Sequence, residues 1–152
     1  MASVRILLVL CAAWVLTGVP VASGQSAPAG EIALQPLAQA LSQFAAQTGL
    51  QVVYVSVDPE RDTPTRLRAF TEQFDTSFVG LTGPMDQLAP VWKAYGVSVV
   101  RRELPGSKSP TYLIHHSASV FLIDAAGRLR VMAPFGTPSD DVLHDIRALL
   151  KE

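Results

Sequence analysis

The stretch QVVYVSV at residues 51–57, followed by DPERDTP at residues 58–64, decides the fold of this chain. Residues 51–57 are nearly all apolar and rich in β-branched side chains, which is typical of a strand buried on both faces, as in a parallel sheet. Asp58-Pro59 ends the strand, and Asp62 is placed to cap a helix that has proline at its first position. This strand-turn-helix unit predicts an α/β domain.

The spacing of apolar residues predicts the other elements of the chain. A first helix has an apolar face from Leu34 to Ala45 and ends near Gly49. Thr137-Pro138-Ser139-Asp140 resembles a capping box and predicts a C-terminal helix. Between these helices the pattern predicts, in order, a strand at residues 77–81, a helix opened by Thr82-Gly83-Pro84 and ended by Gly96, a strand at 97–103, a loop at 104–109, and a hairpin of strands 118–124 and 128–133. This order predicts an α/β fold with a mixed sheet flanked by helices.

The N-terminus has the layout of a secretory signal peptide. Arg5 precedes an uninterrupted apolar run from Ile6 to Leu16, and small residues lead to a cleavage site after Gly24, with Ser23 as the competing position. The predicted organisation is therefore a signal peptide at 1–24, a linker at 25–30 and a domain at 31–152. The alternative is an uncleaved anchor formed by residues 6–22, which carry no charge. Both interpretations predict an exported protein, in the periplasm or anchored to the inner membrane.

Charge and cysteine content exclude several classes of function. The formal net charge is -1, so no strong field attracts nucleic acid. The one cysteine, Cys11, lies in the predicted signal peptide, and cleavage leaves no thiol. Thiol peroxidase, disulfide exchange and thiol reductase activities need a thiolate and are excluded for the cleaved chain. No Ser-His-Asp arrangement is evident, and we predict that the protein is not an enzyme.

The first helix raises a topological problem. It follows the linker directly, whereas a helix that covers a buried parallel strand normally arrives from a neighbouring strand. With residues 1–24 assigned to a signal peptide, no such strand precedes the helix. The sequence therefore predicts a sheet that lacks its N-terminal core strand.

Three stretches resemble the SCO/SenC family. They are VVYVSVDPERDTP at residues 52–64, FVGLTG at residues 78–83, and HSASVFLID at residues 116–124 with GRL at residues 127–129. The resemblance runs from about Gln51 to Leu150. It implies a thioredoxin fold in a family that serves mainly in copper delivery to cytochrome c oxidase, with some members linked to thiol redox work.

The resemblance also implies a metal site that this chain does not complete. The family's ligands are a Cys-x-x-x-Cys pair, after the first core strand and just before the first helix, and one distant histidine. His116 occupies the histidine position, and no residue occupies the cysteine positions. A second departure is His115, where the family usually has an acidic residue. The strand and the motif are thus predicted to be absent as one block.

Two functions follow from this comparison. The first is a degenerate SCO-like accessory protein for copper delivery and cytochrome c oxidase assembly, with copper as cofactor and His116 as the surviving ligand. Its partner would be an oxidase subunit or another copper protein, and copper(I) would bind weakly because it prefers thiolates. The alternative is a non-catalytic thioredoxin-like binding module or deletion remnant.

The other polar and sulfur-bearing residues have structural interpretations. His115 points away from His116 if both lie on one strand, because neighbouring strand residues face opposite sides. His144 is predicted on the last helix, with no reason to converge on the others. Met85 and Met132 are predicted to lie in the core. The remaining charged residues are interpreted as turn and cap chemistry (Asp58, Glu60, Arg61 and Asp62) or as a solvated basic face (Arg101, Arg102 and Lys108).

A short second resemblance covers residues 37–54. Leu-Ala-Gln-Ala-Leu at residues 37–41 and Thr-Gly-Leu-Gln-Val-Val-Tyr at residues 48–54 resemble the start of the small signalling domain of secretins and TonB-dependent receptors. The pattern is a generic helix and strand, and we interpret it as a sign of chimeric origin.

Overall fold

The described residues of the chain form a five-stranded mixed sheet with helices on both faces and a separate two-stranded ribbon. A computed structural model describes residues 7–12, 29–104 and 112–152. In chain order the elements are β1 (Leu7–Ala12), α1 (Ala29–Thr48), β2 (Gln51–Ser56), α2 (Pro64–Thr71), β3 (Val79–Leu81), α3 (Met85–Ala94), β4 (Val99–Glu103), β5 (Tyr112–His116), β6 (Ser119–Ile123), β7 (Leu129–Pro134) and α4 (Ser139–Leu149).

The strand order of the main sheet is β3-β2-β1-β6-β7. β1 and β3 run parallel to β2, and β6 runs antiparallel to both β1 and β7. Among the described strands, β4 and β5 pair with each other alone, in an antiparallel ribbon that brings Val99 opposite His116. The predicted α/β fold with a mixed sheet is therefore confirmed.

The N-terminal core strand differs from the sequence-based expectation. Its place in the sheet, predicted to be empty, is taken by β1, which lies between β2 and β6. An unbroken aliphatic run suits the core of a signal peptide, and it suits equally a central strand that is covered on both faces. Composition alone cannot separate these two uses of residues 7–12.

The core consists of two clusters, one on each face of the sheet. On one face α1, α2 and α4 cover Val52 and Tyr54 of β2 and Leu122 of β6. On the other face α3 covers Val53 and Val55 of β2, together with neighbouring residues of β6. Because strand side chains alternate, the nearly continuous apolar run of β2 supplies both clusters. This confirms the interpretation of residues 51–57 as a strand buried on both faces.

Several predicted helix ends differ in detail. The N-cap of α2 is Thr63, whose side chain accepts a hydrogen bond from the Arg66 N–H at 3.3 Å, and Asp62 is used elsewhere. The predicted capping box before α4 is wrong, because the N-cap is Pro138 and no side chain caps the helix. Gly96 follows α3 with a φ of 67°, as predicted for a helix terminator.

Other predictions concern residues of which little or nothing is described. α1 begins at Ala29, inside the segment interpreted as a linker. The predicted cleavage site at Gly24, residues 25–28 of the linker, residues 105–109 of the predicted loop and Lys108 within it lie outside the described residues. Among the helices described here, none is long and apolar enough to cross a membrane.

Candidate functional site

The candidate site lies at the edge of the sheet where β1 and β2 end. Ala12 and Ser56 are opposite each other at the carboxyl ends of these parallel strands. β6 is antiparallel to β1, so it begins at the same edge, and His116 stands three residues before Ser119. Ligands of open α/β sheets commonly bind beyond the carboxyl ends of the strands.

Buried polar side chains lie at the last residue of β2 and in the turn after it. Ser56, Asp58 and Asp62 are 1%, 3% and 7% exposed. The Ser56 hydroxyl donates to Asp62 Oδ2 at 2.6 Å and accepts from the Asp58 N–H at 3.0 Å. Burial raises the pKa of the Asp62 carboxyl, and the hydrogen bond from Ser56 partly offsets this rise. These aspartates are thus part of a buried network, which goes beyond the turn and cap roles predicted for them.

Side chains from α3 and from β5 form hydrogen bonds with this buried network. Trp92 of α3 donates its indole N–H to the Ser56 carbonyl oxygen at 3.0 Å. Tyr112 of β5 donates its hydroxyl to Asp58 Oδ1 at 2.7 Å, and Arg61 pairs with the other carboxylate oxygen of Asp58. Tyr112 and Asp58 are 54 residues apart in sequence. This bond therefore attaches the β4–β5 ribbon to the end of β2.

The ring of Tyr112 is also held by two guanidinium groups. The Cζ atoms of Arg61 and Arg101 lie 4.4 Å and 3.8 Å from the ring centroid, within the range of cation–π contacts. Burial and the hydrogen bond to Asp58 raise the pKa of the Tyr112 phenol to about 12. The hydroxyl consequently stays a donor to Asp58 at physiological pH.

Arg101 is not simply part of a solvated basic face, as the sequence suggested. Besides the Tyr112 ring, it contacts Glu60 Oε1 at 2.6 Å and Glu103 Oε1 at 2.7 Å. Arg101 and Glu103 are two residues apart on β4 and so share one face of the strand. That spacing is visible in the sequence, whereas the contacts with Glu60 and Tyr112 require the tertiary fold.

His116, the one predicted metal ligand, is the last residue of β5 and is half-buried. Its Nδ1 lies 3.2 Å from the carbonyl oxygen of Ser117. Since a carbonyl oxygen only accepts, this contact suits the neutral tautomer with the proton on Nδ1, in which the lone pair on Nε2 can bind a metal. His115 is exposed and pairs with Val100, the residue next to the partner of His116.

The other candidate donors do not join His116. In residues 7–12, 29–104 and 112–152, no group of three or more His, Cys, Asp or Glu side chains could hold a metal ion. His144 is exposed on α4. The prediction that Met85 and Met132 lie in the core is wrong, because they are 50% and 57% exposed. Apolar periodicity identified the elements of these two residues but not the face on which each one lies.

The fold and the site together define a thioredoxin-like protein with one histidine at the carboxyl edge of its sheet. The family model for SCO1/SenC matches residues 29–151, and the chain belongs to this family. It is 32% identical over 97 residues to the mitochondrial SCO2 homolog of Bos taurus, covering 62% of this chain and 36% of that protein. It is 34% identical over 100 residues to a putative copper-binding protein of Stutzerimonas stutzeri, covering 64% and 47%.

Solved structures show the same fold. Arabidopsis thaliana ScoI with copper bound matches 97% of this chain and 84% of its own, with a TM-score of 0.72 and 20% identity. The chain spans between about a third and a half of the length of the two curated relatives it matches.

The structure also locates the segment in which this chain departs from the family pattern. The family's cysteine pair is expected between the first core strand and the first helix. Here those elements are β1 and α1, so the corresponding segment is residues 13–28, which contain no cysteine. Cys11 instead lies within β1, opposite Val55. The chain therefore has a first core strand and a segment where the motif would lie, but that segment lacks the two cysteines. The prediction that the strand and the motif are both absent is wrong for the strand.

The bond between Tyr112 and Asp58 gives a testable contribution to stability. Tyr112→Phe keeps the ring that the two guanidinium groups contact but leaves Asp58 Oδ1 without its donor. We expect the free energy of unfolding in urea to fall by about 1.5 kcal/mol, as for hydrogen bonds to charged groups. Tyr95→Phe is the matched control, because the Tyr95 hydroxyl has no hydrogen bond among the described residues. Equal losses in both variants would contradict the role assigned to the Tyr112–Asp58 bond.

Proposed function

We propose that this protein is a SCO-type accessory protein that handles copper as cargo for cytochrome c oxidase assembly, with His116 as its surviving ligand. Membership of the SCO1/SenC family supports the proposal. So do the relatives, one of which is named as a copper-binding protein and another of which was solved with copper bound.

The observation that carries the proposal is the orientation of His116. Its Nδ1 faces the Ser117 carbonyl oxygen, an arrangement in which the other ring nitrogen is the one available to a metal. Ser117 is itself held, because its N–H donates to the Ser98 carbonyl oxygen and its Oγ accepts from the Ser98 N–H, both at 3.0 Å. The Tyr112–Asp58 bond then fastens the same ribbon to the end of β2. His116 is thus a positioned imidazole.

A single imidazole makes this a weak site. Copper(I) prefers thiolate ligands, and imidazole serves copper best as one donor of several. We therefore propose weak copper binding, and no thiol redox activity. With one cysteine in its sequence the chain has no partner for an intramolecular disulfide, which thiol exchange through a dithiol pair requires.

The proposed partner is an oxidase subunit or another copper protein. The nearly balanced charge of the chain, 12 basic against 13 acidic residues, does not favour nucleic acid as a partner.

Isothermal titration with copper(I) and with copper(II) tests the proposal. We expect the unsubstituted protein to bind one of the two ions at least about tenfold more tightly than His116→Ala, a difference of about 1.4 kcal/mol. His115→Ala is the matched control, since it removes a neighbouring imidazole on the opposite face of the same strand. If His116→Ala binds both ions as tightly as the unsubstituted protein, the proposal fails.

A second candidate is a non-catalytic binding module. The observation that favours it is that the described residues contain no group of three metal-binding side chains. The same titration separates the two functions, because a binding module requires no dependence of copper affinity on His116.

A further inference from the structure

We propose that the folded protein keeps residues 7–12 as its central strand, so that this segment is neither cleaved away with a signal peptide nor held in a membrane. The fate of the N-terminus is independent of whether copper binds. Three features of the molecule determine it: the pairing of β1, the two layers that β1 joins, and the length of chain that a membrane span would need.

β1 is paired with a neighbouring strand along each of its two edges. All six of its residues are in register with β2, from Leu7 opposite Gln51 to Ala12 opposite Ser56. Four of them are also in register with β6, from Leu7 opposite Ile123 to Leu10 opposite Val120. Backbone N–H and C=O groups buried in a sheet must find partners, and here those of β2 and β6 find them on β1.

Without β1 the main sheet becomes two separate pairs, β3-β2 and β6-β7. Neighbouring strands are spaced by about 4.8 Å, so β2 and β6 stand roughly 10 Å apart with one strand between them. Both core clusters nevertheless contain residues of both strands: Val52 and Leu122 belong to one cluster, and Val53 and Phe121 belong to the other. Removing β1 would therefore open a slot through the middle of both hydrophobic layers and expose two unpaired edges.

The same residues cannot serve the sheet and the membrane together. A helical span needs about 17–25 apolar residues, and the uncharged segment at 6–22 reaches that length only if it includes all six residues of β1. Cleavage after Gly24 would separate β1 from α1, which begins at Ala29. Folding and export therefore compete for residues 7–12, and the stable domain is the form in which the sheet holds them.

Hydrogen exchange on the full chain tests the proposal directly. We expect the backbone amides of residues 8–12 to exchange at least about 100-fold more slowly than in an unstructured peptide, as amides of central strands do. Exchange of residues 8–12 at the unstructured rate, while residues 51–56 remain protected, would overturn it. This measurement needs no substitution and so does not depend on a variant that folds.

A pair of proline substitutions supplies the control. Val9→Pro removes a ladder hydrogen bond from the centre of β1, and we expect protection at residues 51–56 and 119–123 to fall by about 100-fold or more. Ala22→Pro lies in the predicted signal peptide but outside β1, and we expect it to leave that protection unchanged. Unchanged protection in Val9→Pro would count against the proposal.

The intact mass of the folded protein recovered from cells gives an independent readout. We expect a mass that includes residues 1–24 in the soluble, protected fraction. A folded, equally protected protein that begins at Gln25 would overturn the proposal.

Discussion

Leu122→Ala is expected to lower the free energy of unfolding by about 3–4 kcal/mol, the range of leucine truncations in a rigid core. Leu122 is 0% exposed and belongs to the cluster that α1, α2 and α4 form over the sheet. It lies on β6, opposite Leu8 of β1 and Val131 of β7. The surrounding backbone is held on both sides by strand pairing, so we expect little collapse around the cavity.

Urea denaturation measures this loss, and Leu129→Ala is the matched control. Leu129 lies on the neighbouring strand β7 and is 50% exposed. Its truncation removes the same atoms from a site that is already half in water, and we expect a change below about 1 kcal/mol. Similar losses in the two variants would contradict the description of β6 as a buried strand between β1 and β7.

Gly80→Ala is expected to lower the free energy of unfolding by about 3 kcal/mol, at the upper end of the range for overpacking. Gly80 is the middle residue of β3, where α2 packs against the strand. A Cβ at this position would lie 2.5 Å from Cγ and 3.3 Å from Cβ of Leu67. Leu67 is buried, and these atoms are near its backbone, so the helix or the strand has to move.

Two further variants identify the cause of this loss. Gly83→Ala adds a methyl group that meets only Gln87 Oε1 at 3.7 Å, an ordinary contact, and we expect a change below about 1 kcal/mol. Adding Leu67→Ala to Gly80→Ala removes Cγ, the atom that comes closest, and leaves the milder 3.3 Å contact with Cβ. We expect the double variant to be more stable than the sum of the two single losses predicts, by about 1–2 kcal/mol of coupling. Additive losses in the double variant would rule out the clash with Leu67 as the cause.

Local sequence was sufficient for much of the fold. The apolar run of residues 51–57 identified a doubly buried strand, because such a run has no polar face to present to water. Gly96 was identified as a helix terminator because it directly follows the last apolar residues of the helix, and its φ of 67° confirms this. β5 was missed, because its residues 112–116 combine two apolar residues with two histidines and follow no clear alternation.

Less of the candidate site could be predicted from local sequence patterns. His116 was identified through the family resemblance, and Asp58 and Asp62 were noticed but interpreted as turn and cap residues. Tyr112 of β5 bonds to Asp58, and Trp92 of α3 bonds to the carbonyl oxygen of the neighbouring Ser56. A hydrogen bond that spans 54 residues leaves no periodic signal in the sequence, because periodicity reports only which residues share a face of one element.

The sequence by itself established the SCO-like frame, the histidine at position 116 and the absence of a cysteine pair, since these depend only on which residues are present and in what order. The tertiary structure decided which neighbours each residue has. It placed Leu7–Ala12 between β2 and β6, although the same aliphatic run has the composition of a signal peptide. Strand pairing joins segments that are distant in sequence, so the stability it provides depends on both strands. The role of the N-terminal strand therefore becomes visible only when β2 and β6 are in place.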